Sequence, residues 1–480
     1  MSEQHRPAFH FTPPANWMND PNGLVFQDGV YHLFYQHHPG STIWGPMHWG
    51  HAISHDLVNW QHCPIALYPD EHGMIFSGSA VVDHNNSAGF GTNALIAIFT
   101  YHNDHRESQN LAYSLDGGRT WVKYPGNPVI PVPDETPDFR DPKVFWYQDH
   151  WVMCLAAGKK VLFFVSSDLL HWEESGSFGD GYGAREGVWE TPDLFELQVE
   201  NTDESRWVLT HGVGSGAAAG GSGTQYFIGH FDGRTFKSEN SRESILWMDH
   251  GADFYAPQSW NNEPSGRRLV LGWMTNWQYA ALVPTSSWRG AFSIIREISL
   301  KKIGSSIQLV QRPLPELQML RTEHLHLQEQ IIEPSTNLLA SVRGTCLEII
   351  AGFKLTHNAG RFGFHVCAGE HERTTICYEI EKQTLSVDRT RSGQVDFFNG
   401  FAGVHSAVLI PQDDVIRLHI FIDSSSVEVF ANDGIVTLTD CIFPAEASQE
   451  LELFIDRGSI RLLYLDVFQL KPAQFQTTEN

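Results

Sequence analysis

Short apolar runs separated by turn residues recur through the first 300 residues of the chain. Four of these runs lie at residues 30–35, 94–99, 151–155 and 207–210, and each is followed by a hairpin sequence that contains Ser or Phe, then Asp, then an aromatic residue. The aspartates are Asp56, Asp116, Asp168 and Asp232, spaced 60, 52 and 64 residues apart. This spacing suits four-stranded blades with decorated loops. A further strand at 268–273 lacks the hairpin signature and completes a fifth blade, so we predict a five-bladed β-propeller.

The pattern changes after Leu300. Residues 313–320 have the composition of a turn or two of helix, and short alternating strands then resume with a different spacing. Such strands are typical of a β-sandwich. We therefore predict an all-β chain: a five-bladed β-propeller at 1–305, a linker with a short helix at 306–334, and a C-terminal β-sandwich at 335–480.

The net charge of the chain limits the kinds of molecule that it is expected to bind. Lys and Arg total 32 against 56 Asp and Glu, a formal net charge of −24. This excess repels phosphate backbones and anionic lipid surfaces, so we expect neither nucleic acid nor membrane as a partner.

The six cysteines are scattered without a C-x-x-C pair, as expected for reduced thiols. The first residues lack a signal-peptide pattern, so we expect a cytoplasmic protein, with unconventional export left open.

Three carboxylates stand out because each lies in a different predicted blade, beside an aromatic residue or an arginine and shortly before a proline. They are Asp20 in WMNDPNG at 17–23, Asp141 in FRDP at 139–142, and Glu190 in VWETP at 188–192. Loops of different blades converge at a propeller axis, and hydrolysis of a glycoside needs two carboxyl groups. The spacing alone does not separate these residues from ordinary turn residues, since Asp-Pro is also a turn signal.

Two other patterns are weaker candidates for a site. His48, His51 and His55 have a spacing that suits a metal on a helix, but the surrounding Gly and Trp residues indicate strand and turn, so we predict no metal and no cofactor. The Gly-rich run at 214–223 lacks the Lys-Ser/Thr ending of a phosphate-binding loop. We interpret it as a flexible surface loop.

At the carboxylates, the sequence resembles glycoside hydrolase family 32, which contains the invertases, inulinases and levanases. The WMNDPNG box near the amino terminus is the most specific match. Further matches follow in order over nearly the whole chain: Gln36, then 44–46, 76–79, 140–142, 189–190, 253–256, 276–279, 284–285 and 288–290 in the propeller, and 387–392 and 427–430 in the sandwich.

The resemblance implies a role for each matching residue. Asp20 is the expected nucleophile, Glu190 the acid/base, and Asp141 the transition-state stabiliser, with Arg140 beside Asp141 holding that carboxylate ionised. The residues expected to bind the sugar through polar groups or aromatic faces are Asn19, Gln36, Ser77, Trp44, Phe76, Trp277, Trp17, Tyr255 and Arg140 itself. Two residues depart from the family pattern: Thr191 follows Glu190 where Cys is usual, and Ile295 replaces the usual Pro before Arg296.

The implied activity is that of a retaining β-fructofuranosidase, which releases terminal fructose from sucrose or fructans through a covalent fructosyl-enzyme. Two alternatives stay open: a fructosyltransferase, in which a sugar hydroxyl replaces water, and a non-catalytic fructan-binding protein. The motifs do not rank sucrose, inulin and levan as substrates. Exposed sandwich edges leave a homo-oligomer open as well.

Overall fold

The computed structural model describes residues 3–104, 106–133, 136, 138–334, 338–356 and 358–477. Apart from one short 3-10 helix, the regular elements of these residues are β-strands, which confirms the predicted all-β class. Among the same residues, no helix has the length and hydropathy needed to span a lipid bilayer.

The amino-terminal strands, in chain order, are β1 (Asn16–Gln27), β2 (Val30–His38), β3 (His48–Ser54), β4 (Trp60–Leu67), β5 (Met74–Asp83), β6 (Ala94–Asn103), β7 (Arg106–Ser114), β8 (Val122–Lys123), β9 (Phe139–Tyr147), β10 (His150–Ala157), β11 (Val161–Ser166), β12 (Glu173–Phe178), β13 (Trp189–Gln198), β14 (Ser205–Val213), β15 (Gly223–Phe231), β16 (Phe236–Ser238), β17 (Leu246–Trp247), β18 (Tyr255–Ser259), β19 (Arg268–Trp273), β20 (Trp288–Arg289), β21 (Arg296–Ile303) and β22 (Ser306–Pro313).

These strands form five antiparallel sheets, the predicted blades. The sheets have the orders β1-β2-β3-β4, β5-β6-β7-β8, β9-β10-β11-β12, β13-β14-β15-β16 and β18-β19-β21-β22. The innermost strands β1, β5, β9, β13 and β18 pack against one another in a ring. Strands such as β11 are buried along their whole length because each blade is covered on both faces by its neighbours.

The repeated Asp-aromatic hairpins connect the third and fourth strands of the first four blades. In the first blade, Asp56 Oδ1 accepts hydrogen bonds from the backbone N–H groups of Val58 and Asn59, at 2.9 and 2.7 Å. Asp116, Asp168 and Asp232 bond the backbone of their own turns in the same way. The sequence repeat is thus a repeated turn, in which the side chain satisfies backbone donors that the sheet leaves unpaired.

The carboxy-terminal elements begin with the 3-10 helix η1 (Pro315–Leu320). The strands that follow are β23 (Arg321–Leu327), β24 (Gln330–Ile332), β25 (Leu347–Lys354), β26 (Arg361–Ala368), β27 (Arg373–Glu379), β28 (Thr384–Arg391), β29 (Val404–Val408), β30 (Val415–Asp423), β31 (Ser426–Ala431), β32 (Val436–Cys441), β33 (Glu450–Ile455), β34 (Ile460–Leu470) and β35 (Phe475–Thr477). They form one sheet of order β23-β34-β25-β30-β31-β32 and a second of order β29-β28-β27-β26-β33. Their inner faces share one apolar core, as predicted for a sandwich.

The domain limits differ from those predicted. Strand β22 belongs to the fifth blade, and β23 pairs with β34 of the sandwich, although both lie in the segment predicted as linker. The connection is therefore only the short helix η1, where Pro315 begins the turn and Leu317 and Leu320 are buried. The two chain ends also return to the first blade, because β20 pairs with β1 and β35 pairs with β4.

A group of charged side chains is buried between propeller and sandwich. His10 bonds Asp423 through Nδ1 at 2.8 Å and Glu428 through Nε2 at 3.0 Å. Arg296 donates to Glu428 at 2.8 Å and to Asp249 at 3.0 Å. We call these five residues the interdomain ion cluster. Each carboxylate in it has a cationic partner. Such pairing is needed because a buried charge without a partner costs folding free energy.

Candidate active site

The three predicted carboxylates lie at the same end of the propeller. Asp20 is on β1, Asp141 on β9 and Glu190 on β13, in each case within the first few residues of the innermost strand of its blade. Asp20 and Asp141 are buried, with 8% and 6% of their surfaces exposed. The structure thus brings together the residues that the sequence singled out.

A bulge interrupts the pairing of every innermost strand at this end. The register shifts between Met18 and Pro21 on β1, between Glu190 and Asp193 on β13, and at the corresponding positions of β5, β9 and β18. A bulge turns side chains away from the regular alternation, and it accepts proline because no ladder hydrogen bond is lost there. The Asp-Pro pairs therefore lie at bulges within strands, which turn the carboxylates out of the regular alternation, and the alternative interpretation as ordinary turns is wrong.

Asp20 is held by two neighbours. Ser77 Oγ donates to Oδ2 at 2.7 Å, and Asn19 Nδ2 donates to Oδ1 at 3.0 Å. Burial raises the pKa of Asp20 to about 6, the two hydrogen bonds oppose this shift, and the negative charge of Glu190 adds to it. Ser77 is placed by a close approach of strands, since a Cβ on the adjacent Gly78 would collide with the carbonyl oxygen of Ile98.

Asp141 is fixed through the backbone. Its Oδ2 accepts a hydrogen bond from the N–H of Thr191 at 2.9 Å, and its own N–H donates to Thr100 Oγ1 at 3.1 Å. The backbone adopts positive φ at both Asp141 (66°) and Thr191 (47°), an uncommon conformation for such residues. Burial raises the pKa of Asp141 well above its usual value, Arg140 opposes the shift, and the charges of Glu190 and Asp20 add to it.

Glu190 has a donor on each oxygen. Arg140 Nη2 donates to Oε1 at 2.9 Å, and the Tyr255 hydroxyl donates to Oε2 at 2.5 Å. Burial raises the pKa of Tyr255 well above its usual value, and the neighbouring carboxylates raise it further, so the hydroxyl remains a donor. The carboxyl group of Glu190 is therefore oriented from both sides.

Arg140 forms hydrogen bonds with more carboxylates than the sequence predicts. Its hydrogen bonds go to Glu190, to Glu107 at 3.1 Å and to Asp138 at 2.8 Å. Its charge lowers the pKa of Asp141, which is the direction that the prediction requires, although burial and the neighbouring carboxylates raise that pKa. Through its hydrogen bonds Arg140 also positions Glu190.

Aromatic side chains form a wall beside the carboxylates. Trp17 is buried and lies against Trp277, with ring centroids 6.3 Å apart and planes 23° from parallel. Trp44 packs edge-on against Phe76 at 5.8 Å. Trp44 and Trp277 keep 39% and 36% of their surfaces exposed, so their rings are available to the C–H faces of a sugar.

The remaining predicted polar residues lie behind this surface. Trp17 Nε1 donates to Asn19 Oδ1 at 2.8 Å, which fixes the amide that bonds Asp20. Gln36 is buried on β2 and donates to Asn22 Oδ1 at 2.8 Å. Its hydrogen bond is therefore to the WMNDPNG segment itself.

The end of the Gly-rich run is packed at 221–223, whereas 214–220 are partly or fully exposed, so the interpretation as a surface loop is corrected only for the end. The Asn276 amide donates to the carbonyl oxygens of Gly220 and Ser222, and Ser222 Oγ accepts the N–H of Trp277. A Cβ on Gly221 would collide with Asn276. The run thus supports Trp277 in the aromatic wall.

The three histidines with metal-like spacing have separate partners. His48 Nδ1 and His55 Nδ1 bond the backbone carbonyls of Pro46 and Gly29, and His51 Nε2 bonds His32. Their rings do not converge on a common point.

Comparisons with known proteins agree with this geometry. The profile "Glycosyl hydrolases family 32 N-terminal domain" matches residues 10–313, and "Glycosyl hydrolases family 32 C terminal" matches residues 316–469. The levanase of Bacillus subtilis (strain 168) is 50% identical over 480 residues, covering 98% of this chain and 71% of the levanase.

Solved structures superpose over almost the whole chain. The exo-inulinase from Aspergillus awamori gives a TM-score of 0.92 at 36% identity, covering 98% of this chain and 99% of that one. The β-fructofuranosidase from Schwanniomyces occidentalis, complexed with fructosyl-erythritol, gives 0.89 at 32% identity and 98% of both chains. Fold, carboxylates and these likenesses define a glycoside hydrolase. The chain belongs to glycosyl hydrolases family 32, which confirms the family that the sequence motifs indicated.

Proposed function

We propose that the protein removes terminal β-fructofuranosyl units with retention of configuration, using Asp20 as nucleophile, Glu190 as acid/base and Asp141 as stabiliser of the transition state. The observation that carries this proposal is that three carboxylates lie close together at one end of the propeller. Two of them, Asp20 and Asp141, are buried and have raised pKa values. A retaining glycosidase requires a nucleophilic carboxylate and a proton donor on opposite sides of the scissile bond.

The contacts support this division of roles. Asp20 is oriented by Ser77 and Asn19 and has no cation among its described hydrogen-bond partners, so its negative charge is free to attack the anomeric carbon. Glu190, aimed by Arg140 and Tyr255, protonates the leaving oxygen and then deprotonates the incoming water. Asp141 is close enough to both carboxylates to feel their charges, and a carboxylate at this place favours the positive charge of an oxocarbenium-like transition state.

A fructose-releasing hydrolase is the function that the relatives share, since their names are levanase, exo-inulinase and β-fructofuranosidase. This confirms the predicted function, and the relatives do not favour the fructosyltransferase alternative. Within this class we propose levan-type chains as the preferred substrate, because sequence identity is 50% to the levanase of Bacillus subtilis and 38% to the exo-inulinase of Aspergillus ficuum.

The test compares wild type, Asp20→Asn and Glu190→Gln on levan, inulin and sucrose, following free fructose, glucose and longer products. We expect wild type to release fructose fastest from levan and both variants to lose about 10³-fold or more of the rate. Fastest release from inulin or sucrose would overturn the substrate, longer oligosaccharides would favour transfer, and an active Asp20→Asn would remove the nucleophile from Asp20.

A further inference from the structure

Two histidines and an aspartate meet on the outer surface of the sandwich, on a different domain from the catalytic carboxylates. They are His324 and His326 on β23 and Asp466 on β34. Their metal-binding atoms all lie within 4.8 Å of one another.

The strand register explains why the three side chains converge. His326 is directly opposite Asp466 in the antiparallel pair, and His324 is two residues away on the same face. His324 Nε2 and His326 Nδ1 each lie 2.7 Å from the same oxygen, Asp466 Oδ1. Phe468 stacks on His324 with ring centroids 4.3 Å apart and planes 10° from parallel, so the imidazole lies flat against that phenyl ring.

The donor set has a definite chemistry. Two imidazoles and one carboxylate are borderline ligands that suit Zn²⁺, Ni²⁺, Co²⁺ or Cu²⁺ better than Mg²⁺ or Ca²⁺. A tetrahedral zinc ion with bonds of about 2.0–2.2 Å keeps its ligand atoms about 3.3–3.6 Å apart, so each imidazole nitrogen must move about 0.6–0.9 Å away from Asp466 Oδ1 to admit it. The side chains of His324 and His326 are 43% and 47% exposed, so they have room to move and an ion has a path to them.

We propose that His324, His326 and Asp466 form a binding site for a divalent transition metal, zinc in particular, that clamps β23 onto β34. Strand β23 is at the edge of its sheet and pairs only with β34 among the described strands. A metal bound by residues of both strands would cross-link the edge strand β23 to its neighbour β34, because β23 has no neighbouring strand on its other side among the described residues. The site uses three protein ligands and leaves the remaining coordination to water.

The experiment uses the full-length protein stripped of metal with a chelator and titrated with Zn²⁺ by calorimetry, and with Co²⁺ by absorption. The variants are Asp466→Asn and His326→Gln, and the matched control is His371→Gln, another exposed histidine beside a carboxylate. We expect one Zn²⁺ per chain in wild type and control, and binding at least about tenfold weaker in both variants. Saturating zinc should raise the Tm of wild type and control by about 2–5 °C, and that of the variants by less.

Three results would overturn the site. These are no saturable binding at micromolar Zn²⁺, equal affinity in wild type and both variants, or a thiolate charge-transfer band with Co²⁺, which would assign the metal to cysteine. If Asp466→Asn is unstable without metal, the exposed His326→Gln decides the outcome alone. Fructose release in metal-free buffer should be unchanged in His326→Gln, because none of the catalytic contacts involves β23.

Discussion

Two of the regions in which the protein buries carboxylates shift the pKa values of those groups in opposite directions. In the interdomain ion cluster, burial alone would raise the pKa values of Asp423 and Glu428, but hydrogen bonds from His10 outweigh it and lower both. In the active site, burial raises the pKa values of Asp20 and Asp141, and neighbouring carboxylates add to the shift. The first region balances its charges and joins two domains, whereas the second keeps negative charge in excess for use on a substrate.

Arg140 is the single cationic side chain among the described contacts of the active-site carboxylates. Its removal should therefore have the largest effect on catalysis. Arg140→Met leaves Glu190, Glu107 and Asp138 without their common partner, and we expect kcat/KM to fall about 10³-fold. Arg140→Lys, which keeps the charge but not the planar fork, should recover part of the loss. Steady-state kinetics measure both, and a loss under about tenfold in Arg140→Met would show that Glu190 is positioned by other contacts.

His10 is the corresponding cation between the domains. Burial disfavours its charge, but the hydrogen bonds with Asp423 and Glu428 outweigh burial and raise the pKa of His10 to about 9. Because this folded-state pKa is above the usual 6.5, the stabilisation is complete below about pH 6.5 and is lost as the pH rises through about 9.

His10→Gln should therefore lower the free energy of unfolding by about 3 kcal/mol at about pH 7, and by clearly less at about pH 9.5. Urea unfolding at the two pH values measures the difference, with the surface variant His371→Gln as control. An equal loss at both pH values would mean that packing, not charge, makes the contribution.

Asp20 contrasts with His10: its raised pKa, about 6 against the usual 3.8, means that the fold disfavours the charged form of Asp20, whereas it favours the charged form of His10. The ionisation of Asp20 costs stability above about pH 6, and this cost disappears as the pH falls towards 4. We expect Asp20→Asn, although inactive, to raise the free energy of unfolding by about 1–3 kcal/mol at about pH 8 and by less at about pH 5. The exposed Asp149→Asn is the control in urea unfolding. A destabilised Asp20→Asn at about pH 8 would contradict an excess of negative charge in the site.

Thr191 should give the smallest effect. It holds Asp141 through its backbone N–H, and its buried hydroxyl has no hydrogen-bond partner among the described residues. Thr191→Cys, the residue usual in the resembling family, keeps the N–H, so we expect kcat/KM within about threefold of wild type. A change above about tenfold would show that the side chain takes part in the chemistry.

The sequence predicts which residues form the site better than it predicts which contacts those residues make. Asp20, Asp141 and Glu190 are recognisable because the bulges that aim them carry prolines, which mark the sequence. Glu107 carries no such mark: it is one polar residue in the polar strand β7, and only the fold brings it to Arg140. The same holds for the Gly-rich run, whose packing depends on Asn276, more than 50 residues away.

The architecture is predictable where a local pattern repeats. The Asp-aromatic turns identify four blades because each turn is built from neighbouring residues, whereas the limits of the fifth blade depend on long-range pairing. Strand β22 joins the blade through β21, and β23 joins the sandwich through β34, which lies more than 130 residues further on. The local sequence pattern at 306–334 does not contain that information, so the predicted linker is longer than the observed one.

The stereochemistry of the first product tests the central claim most directly. Proton NMR of wild type acting on levan, recorded before the released fructose equilibrates, distinguishes the anomers. A double displacement through Asp20 predicts that β-fructofuranose appears first and that the α-anomer follows only by mutarotation. Initial release of α-fructofuranose would contradict the covalent fructosyl-enzyme and with it the role assigned to Asp20.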